Sequence, residues 1–313
     1  KKHTFIFIND KLSIENVKLV SDYDIISVFI YSDIDKNVLN KLNKLKAIVT
    51  RSTGFDHIDI NECKRRKITV FNVPSYGENT VSEHTFALIL ALTRKIHKSY
   101  ERTIRGNFSL EGLRGFDLKG KTMGIIGLGK IGKNVARIAG GFQMNILAYD
   151  PVINRKIEKE LKLKFVSLNY LLKNSDIITF HCPYDKKTHH LLNKKNINLI
   201  KENSIIINTA RGGIIDTEAL VTALAKGKLA GAGLDVLEEE SMIREERQLL
   251  SKHFGKENLK NLIENHMLLT FDNVLITPHN AFNSNEALER ILEVTVNNIK
   301  DIINKKRNEN IIK

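Results

Sequence analysis

The sequence predicts an α/β fold with parallel sheets, and three observations lead to this class. Short apolar runs of strand length alternate with segments whose apolar residues recur at helical spacing. One of these runs leads directly into a glycine-rich turn and a helical segment. The chain has 313 residues, a length that corresponds to about two domains. We therefore expect two domains, each with helices packed against a parallel sheet.

Strands are predicted where apolar, β-branched runs are bounded by polar or turn-forming residues. These runs cover residues 4–8, 25–30, 47–50, 69–72, 123–126, 146–149, 176–181, 204–208, 230–235 and 273–277. Several of them end in polar residues, which places those residues at the carboxyl edge of a sheet, where open parallel sheets bind ligands.

Helices are predicted where apolar residues recur at a spacing of three and four. These segments cover residues 38–45, 59–67, 81–102, 131–139, 171–172, 193–200, 217–226, 241–269 and 284–304. Asp216 is expected to cap the helix that follows it. The segment 81–102 is apolar nearly all round, which predicts burial between domains or at a subunit contact.

The stretch 121–150 has the pattern strand, glycine turn, helix, strand, acid. Gly127, Gly129 and Gly132 have the spacing G-x-G-x-x-G, and Asp150 follows the next predicted strand, 23 residues after Gly127. In this context the pattern is the dinucleotide-binding fingerprint. The glycines permit a tight turn, close approach of a pyrophosphate and close packing of the helix. The phosphates are expected at the helix N-terminus, where free N–H groups and the helix dipole favour negative charge.

Asp150 is expected to bond the ribose hydroxyls of the cofactor. Because its carboxylate would repel a 2′-phosphate, we predict NAD as the cofactor rather than NADP. The alternative is a glycine turn in an ordinary βαβ unit. The presence of both strands, the helix and the acid favours the fingerprint.

Composition and charge exclude several classes of protein. Hydrophobic residues make up 42% and charged residues 27% of the chain, as in globular rather than disordered proteins. The net charge of +13 indicates either attraction of anions or nucleic acid, or a lysine bias spread along the chain. The lysines are scattered, which favours the second interpretation, so no nucleic-acid partner is expected.

The two cysteines, Cys63 and Cys182, lack C-x-x-C spacing, so neither a zinc site nor a disulfide framework is predicted, and no metal is expected. A reducing cytoplasm is the expected location. No apolar run approaches membrane-spanning length and no secretory signal is recognised, so no membrane contact is expected.

Three predicted strand ends in the second half of the chain each carry one polar group: Arg211, Glu240 and His279. These residue types suit hydride transfer to a 2-keto acid. An arginine can grip a carboxylate in bidentate fashion, a histidine can donate a proton to the developing alkoxide, and a glutamate can orient the imidazole. Each residue alone also fits an ordinary structural role. Their combination at strand ends of one domain favours the catalytic interpretation.

Ser52, Thr53 and Gly54 follow the predicted strand 47–50. Their backbone N–H groups could hold an anion as a nest does. A plain turn at Gly54 is the alternative, and the sequence alone does not separate the two.

Motifs along nearly the whole chain resemble those of the D-isomer-specific 2-hydroxyacid dehydrogenase family, and within it the D-lactate dehydrogenase branch. The motifs, in family order, are RSTGFDHID, VPSYGENTVSEHTFALILAL, GIIGLGKIG, FHCPYDKKTHHLLN, INTARGGIIDTEAL, GLDVLEEE and VLITPHNAF. The resemblance implies an NAD-dependent oxidoreductase that acts on a small 2-keto or 2-hydroxy acid. It also implies two Rossmann-like or flavodoxin-like domains.

The resemblance assigns roles residue by residue. The catalytic residues are Arg211, Glu240 and His279. The residues implied to bind the cofactor are Gly127, Gly129, Lys130, Ile131, Gly132, Asp150, Cys182, Pro183, Thr188, Thr209, Ala210, Arg211, Asp235 and His279. The residues implied to bind the substrate are Ser52, Thr53, Gly54, Tyr76, Arg211 and His279.

The resemblance also implies the domain organisation. Residues 1–92 with 283–313 are expected to form the substrate domain, and residues 93–282 the NAD domain. Relative to the family pattern, the first domain is expected to lack its first strand. The helix that starts near Val81 resembles the family's dimer arm, so a homodimer is expected.

Three functions are compatible with these features. The leading hypothesis is interconversion of D-lactate and pyruvate. A sibling activity on glyoxylate, a branched keto acid or phosphoglycerate is the second. A non-catalytic NAD-sensing module, like the co-repressor relatives of the family, is the third.

Overall fold

The structure, a computed structural model, describes residues 3–238 and 256–312. The chain divides into two compact units: Lys1–Tyr76 with Asn283–Lys313 form the first unit, and Gly77–Phe282 form the second unit. The first unit is therefore discontinuous in sequence. The division at residues 76 and 77 differs from the expected one at 92 and 93, and the assignment of one unit to the substrate stays a prediction.

Ten strands lie within the described residues, and all ladder pairings between them are parallel. They are β1 (Ile25–Val28), β2 (Ala47–Thr50), β3 (Thr69–Phe71), β4 (Thr122–Ile126), β5 (Asn145–Tyr149), β6 (Lys164–Phe165), β7 (Ile177–Phe180), β8 (Ser204–Asn208), β9 (Leu229–Leu234) and β10 (Val274–Ile276). The predicted α/β class with parallel sheets is confirmed.

The described residues also form ten α-helices. They are α1 (Lys36–Leu39), α2 (Ile60–Arg65), α3 (Glu78–Thr93), α4 (Ile96–Thr103), α5 (Lys130–Gly141), α6 (Arg155–Glu160), α7 (Leu168–Asn174), α8 (Thr217–Ala225), α9 (Lys256–Thr270) and α10 (Asn285–Ile303). Single 3₁₀ turns occur at Val17–Val20, Ile197–Leu199 and Gly212–Ile214.

The first unit has a three-stranded sheet in the order β1-β2-β3. Alternation along the central strand sends Ile48 into one hydrophobic cluster and Ala47 and Val49 into another, so both faces of the sheet are covered. Ile299 and Ile302 of α10 pack on the second cluster. The carboxyl-terminal segment thus completes the core of this unit.

The run at residues 4–8 is not a strand, which corrects the sequence prediction. Phe5 and Phe7 are exposed, the latter to 95%. An extended segment needs a neighbouring strand to take up its backbone hydrogen bonds. Within the described residues, β1 pairs only with β2, so the apolar run has no ladder partner.

The second unit has a seven-stranded sheet in the order β10-β9-β8-β7-β4-β5-β6. The chain enters at β4, moves outward to β6, and then crosses to β7 and proceeds to β10. The strand order therefore reverses between β4 and β7, where a doubly wound sheet opens a crevice at its carboxyl edge. Adjacent residues on β8, Ile205 and Ile206, belong to hydrophobic clusters on opposite faces of the sheet.

The helix predicted over residues 81–102 is two helices, α3 and α4. Lys95 between them has a left-handed φ of 55°. The chain returns to this point, where the Phe116 N–H donates to the Thr93 carbonyl at 3.1 Å. Gly115 lies so close that a Cβ there would be 2.1 Å from the same oxygen. This close contact takes up a carbonyl at the end of α3. Helix α3 packs against α5 and β9, both of the second unit.

Two further helix predictions need comment. The segment 193–200 forms only the 3₁₀ turn, because the side chain of Asn196 accepts from the Asn193 N–H at 2.8 Å and holds a turn instead. Asp216 does cap α8, accepting from the Ala219 N–H at 3.1 Å. Residues 241–255 of the predicted insertion lie outside the described residues, and α9 follows them.

Among the described residues, no helix combines the length and the apolar composition needed to cross a membrane.

Candidate functional site

The glycine turn of the second unit has the conformation that the fingerprint requires. Gly127 follows β4 with a φ of 93°, and a Cβ on it would lie 2.5 Å from the Cys182 backbone nitrogen. A Cβ on Gly132 would lie 2.1 Å from the Gly127 carbonyl oxygen. Both positions therefore need glycine, one for its backbone angle and for close packing, the other for packing alone.

Gly129 differs from its two neighbours because a Cβ there would meet nothing within 4 Å. It is the N-cap of α5 and makes no side-chain cap bond, so the helix presents N–H groups to an open space. Lys130 at the first position of the helix is mostly exposed, and its Nζ lies 3.2 Å from Glu78. The carbonyl of Ile131 accepts from the Ser82 hydroxyl at 3.2 Å, which joins α5 to α3. An open, electropositive helix end fits a pyrophosphate.

Asp150 follows β5 and holds the glycine turn in place. Its two carboxylate oxygens accept from the backbone N–H groups of Leu128 at 2.7 Å and Val152 at 2.8 Å. The acid of the fingerprint thus bonds the turn itself. Its contact with a ribose stays a prediction.

The segment after β7 lies beside this turn. Cys182 contacts Gly127, and the Thr188 hydroxyl donates to the Pro183 carbonyl at 2.7 Å. Burial raises the pKa of Cys182 to about 11, so the side chain is a neutral thiol at physiological pH. The structure thus brings Cys182, Pro183 and Thr188 together at the carboxyl edge of the sheet.

The loop after β8 presents Arg211 from a rigid support. The Asn208 side chain donates to the Arg211 carbonyl at 2.9 Å and accepts from the Ala210 N–H at 3.0 Å. Thr209 is buried, and its hydroxyl lies 3.0 Å from that of Thr85. Arg211 is half-buried, and its Nη1 donates to the Ala210 carbonyl at 2.8 Å.

Asp235, at the end of β9, organises the loop that carries His279. Its carboxylate is 1% exposed and accepts from the N–H groups of Asn280 and Ala281, each at 2.9 Å. The hydroxyl of Thr277 donates to it at 2.5 Å. The five loop residues 277–281 therefore curl around one buried carboxylate.

Burial alone raises the pKa of Asp235, but hydrogen bonds from His84, Thr277 and the loop N–H groups outweigh it and lower the pKa below its usual value. The carboxylate is therefore ionised across the physiological range. His84 of α3 lies with its Nε2 3.4 Å from this carboxylate and 3.1 Å from the Thr277 hydroxyl.

His279 itself has a left-handed φ of 53° and a half-buried side chain. Its N–H donates to the Thr277 carbonyl at 2.9 Å. A histidine in this backbone region is uncommon, and here the bonds to Asp235 on both sides of it hold the turn. Glu240 lies outside the described residues, so its role stays a prediction.

The predicted substrate residues Ser52, Thr53, Gly54 and Tyr76 lie in the first unit. The Ser52 hydroxyl donates to the Gly54 carbonyl at 2.6 Å, and the Thr53 hydroxyl to the Val73 carbonyl at 2.8 Å. These bonds occupy the side chains and shape the turn. Among the described residues no acceptor bonds the N–H groups of Ser52, Thr53 and Gly54, as expected of a nest. Tyr76 is half-buried.

Sequence reasoning missed the role of His84. It lies in the motif SEHTFALILAL, and the only signal was a polar residue within an otherwise apolar helix. Its partners Asp235 and Thr277 lie 151 and 193 residues away in the chain, so no local pattern relates them.

Arg211, Asp235 and His279 follow β8, β9 and β10, which are neighbours in the sheet. A cation, a buried carboxylate and an imidazole thus lie at the carboxyl edge of the sheet that carries the nucleotide turn. The open Gly129 and the free end of α5 are the features a dinucleotide needs. This arrangement suits a redox reaction on a carboxylate-bearing substrate.

Comparisons with known proteins agree with this geometry. A family model described as "D-isomer specific 2-hydroxyacid dehydrogenase, NAD binding domain" matches residues 86–281. A 2-hydroxyacid dehydrogenase homolog of Haemophilus influenzae is 40% identical over 98% of this chain and 91% of that protein. The D-lactate dehydrogenase of Escherichia coli is 36% identical over 95% of this chain and 88% of that protein.

A solved structure of D-lactate dehydrogenase from Aquifex aeolicus, complexed with NAD and lactic acid, superposes with a TM-score of 0.83 at 39% identity, covering 92% of this chain and 85% of that one. The chain therefore belongs to the D-isomer-specific 2-hydroxyacid dehydrogenases, NAD-dependent oxidoreductases that act on the CH–OH group of their substrates.

Proposed function

We propose that this protein interconverts D-lactate and pyruvate with NAD. The proposal rests on two polar side chains, those of Arg211 and His279, whose loops are held by hydrogen bonds at the carboxyl edge of the sheet in the second unit. Arg211, which follows β8, is supported by Asn208, and His279, which follows β10, lies in a loop supported by Asp235. Likeness over most of the chain to D-lactate dehydrogenases supports the choice of substrate.

In the proposed reaction, Arg211 binds the carboxylate of pyruvate and polarises the neighbouring carbonyl. His279, protonated, donates its proton to the carbonyl oxygen as that oxygen becomes an alkoxide. Glu240 bonds the imidazole and favours its protonated form. The N–H groups of residues 52–54 supply a second grip on the carboxylate. The nicotinamide, when bound, supplies the hydride.

We infer that the cofactor is NAD rather than NADP. Asp150 has its carboxylate at the tip of β5, next to the turn that a pyrophosphate would occupy. Negative charge there opposes a 2′-phosphate. A reducing cytoplasm remains the proposed location, because Cys63 and Cys182 are both free thiols.

Two alternative functions are tested by the same assay. A sibling activity on glyoxylate, a branched keto acid or phosphoglycerate would use the same arginine and histidine. A non-catalytic NAD-sensing module would retain the nucleotide turn without turnover.

The experiment measures NADH and NADPH oxidation with a panel of 2-keto acids. Pyruvate with NADH should give the highest kcat/KM. His279→Ala should lower kcat by about 10²- to 10⁴-fold, since a general acid contributes that much, while NADH still binds. Near-normal turnover of this variant would remove His279 from the mechanism. No turnover by the wild type with any acid, despite NADH binding, would favour the sensing module.

We also propose a homodimer. Of the helical segment that starts near Val81, α3 buries Val81, Phe86, Leu88 and Ile89 within the second unit. The exposed apolar residues lie on α4 and just beyond it, so α4 is the part proposed to meet a second copy.

A further inference from the structure

Three side chains that can ligate a metal converge in the second unit, and none of the three is assigned to the dehydrogenase reaction. One ligand atom from each of His189, His190 and Glu238 lies within 4.8 Å of the others. The His190 Nε2 is 2.7 Å from the Glu238 Oε1, and the two imidazole rings stack with centroids 3.9 Å apart.

His189 and Glu238 each have a second polar atom that already makes a hydrogen bond. The Tyr184 hydroxyl lies 3.0 Å from the His189 Nδ1, which leaves Nε2 for another partner. The Thr217 hydroxyl donates to the Glu238 Oε2 at 2.9 Å, which leaves Oε1 directed to His190. Hydrogen bonds of this kind orient metal ligands in known sites, and losing one typically costs about 10- to 100-fold in affinity.

The backbone that carries the ligands is fixed by long-range contacts. The His190 N–H donates to the Gly213 carbonyl at 2.8 Å. The buried Asn265 donates to the Glu238 carbonyl at 2.8 Å. A Cβ on Gly212 would lie 2.3 Å from the Glu238 nitrogen, so this segment lies directly against the loop that follows Arg211. The ligands thus come from two segments, residues 189–190 and the segment of Glu238, which are packed together.

An ion can reach the cluster from solvent. His189 is exposed, and the side chain of His190 is 33% exposed against 13% for Glu238. Ligand atoms around a tetrahedral Zn²⁺ are about 3.3 Å apart. The His190 Nε2 and the Glu238 Oε1, at 2.7 Å, must therefore separate slightly, and any wider pair, which is at most 4.8 Å apart, must close. The exposed ring of His189 can turn to make most of this movement.

We propose that His189, His190 and Glu238 bind a divalent cation of the Zn²⁺ class, with water in the fourth position. Two imidazoles and one carboxylate are a ligand set that suits Zn²⁺ and that calcium and magnesium do not favour. The ion replaces the proton shared by His190 and Glu238. It joins residues 189–190 to the segment next to the Arg211 loop. The cysteines gave no indication of this site, and no metal was expected from the sequence.

The test is a titration of the tag-free, chelator-treated full chain with Zn²⁺, followed by calorimetry. The wild type should bind one equivalent. His189→Ala and Glu238→Gln should each weaken that binding by at least about 10-fold. His266→Ala, which removes an exposed histidine of α9, should leave it unchanged. Circular dichroism checks that the variants are folded.

A second measurement is the midpoint of thermal unfolding with and without Zn²⁺. Binding to the folded chain should raise the midpoint of the wild type and of His266→Ala, and not that of His189→Ala. An equivalent of Zn²⁺ that survives His189→Ala with unchanged affinity would place the ion elsewhere and overturn the proposal. Absence of saturable Zn²⁺ binding to the wild type would also overturn it.

Discussion

Asp235 is the residue on which the position of His279 depends. Its two oxygens receive hydrogen bonds from Thr277, Asn280 and Ala281, on both sides of the histidine. An amide at this position cannot accept all of them, because its NH₂ group would face other donors. The loop would then have to move, and the imidazole with it.

Asp235→Asn should therefore lower the free energy of unfolding by about 1–3 kcal/mol, the cost of leaving buried donors unsatisfied. It should also lower kcat by at least about 10-fold, since small displacements of a catalytic group are costly. Urea unfolding and a steady-state assay measure the two effects. Asp272→Asn is the matched control, because that side chain is 98% exposed. Equal stability of the two variants would contradict the role given to Asp235.

His181 gives the protein a specific dependence on pH. Burial lowers the pKa of His181 from about 6.5 to about 3, and its Nδ1 is buried without a partner among the described residues. Between these two values the unfolded chain binds a proton that the folded chain does not. Stability from this residue is thus fully present above about pH 6.5 and is lost as the pH falls towards 3.

His181→Gln should remove this dependence. Between pH 7 and pH 5, the wild type should lose about 2 kcal/mol of stability more than the variant does. Urea unfolding at several pH values measures the difference. His266→Gln, which changes an exposed histidine, should follow the wild type. Parallel pH profiles of wild type and His181→Gln would show that His181 is not responsible.

At the scale of elements, α4 carries an apolar face that its own unit does not cover. Ile96, Tyr100 and Ile104 recur every four residues and are all exposed, and Phe108 and Leu110 continue the exposed surface. Residues at this spacing lie on one face of a helix. A contiguous apolar face is typical of a subunit contact.

Tyr100→Lys should therefore weaken the proposed homodimer, raising its dissociation constant by at least about 10-fold, since aromatic residues dominate such contacts. Sedimentation velocity over a range of concentrations measures this. Val152→Lys, at an exposed apolar residue outside the helix, is the control. The contact would be contradicted if the wild type stayed monomeric at all concentrations, or if Tyr100→Lys left the dissociation constant of the dimer unchanged.

At the scale of the whole molecule, the first unit is built from segments at the two ends of the chain, residues 1–76 and 283–313, and Asn298 of α10 joins these segments. This buried side chain donates to the Asn72 carbonyl at 3.0 Å. It accepts from Asn308 at 3.0 Å and from Asn310 at 2.9 Å. Ile311 also forms an antiparallel bridge with Phe71.

Asn298→Ala should lower the free energy of unfolding by about 1–3 kcal/mol, because the half-buried polar groups of Asn72, Asn308 and Asn310 lose their partner. Urea unfolding measures it. Asn297→Ala, at the adjacent exposed position of the same helix, should change stability by less than about 0.5 kcal/mol. Similar losses for the two variants would mean that Asn298 does not hold the chain ends together.

Much of the second unit was predictable from the sequence because its signals are local. The glycines at 127, 129 and 132 and the acid at 150 lie within one strand–helix–strand unit. The aspartate at 216 caps the helix that begins at the next residue. The run at residues 4–8 has an equally good strand pattern and failed, because a strand also needs a neighbour that local sequence does not specify.

The sequence by itself determined the α/β class, the nucleotide turn and the residue types that suit the chemistry, since these depend on periodicity and on short spacings. Only the tertiary structure decided that Asp235 holds the His279 loop, that His84 meets Asp235, that Asn298 joins the chain ends, and that His190 meets Glu238. Asp235 and His279 are 44 residues apart, and His190 and Glu238 are 48 apart. His84 and Asp235 are 151 residues apart, and Asn72 and Asn298 are 226 apart. Which polar groups become neighbours across such distances is set by how strands order in the sheet and helices pack on it, and no local pattern records that order.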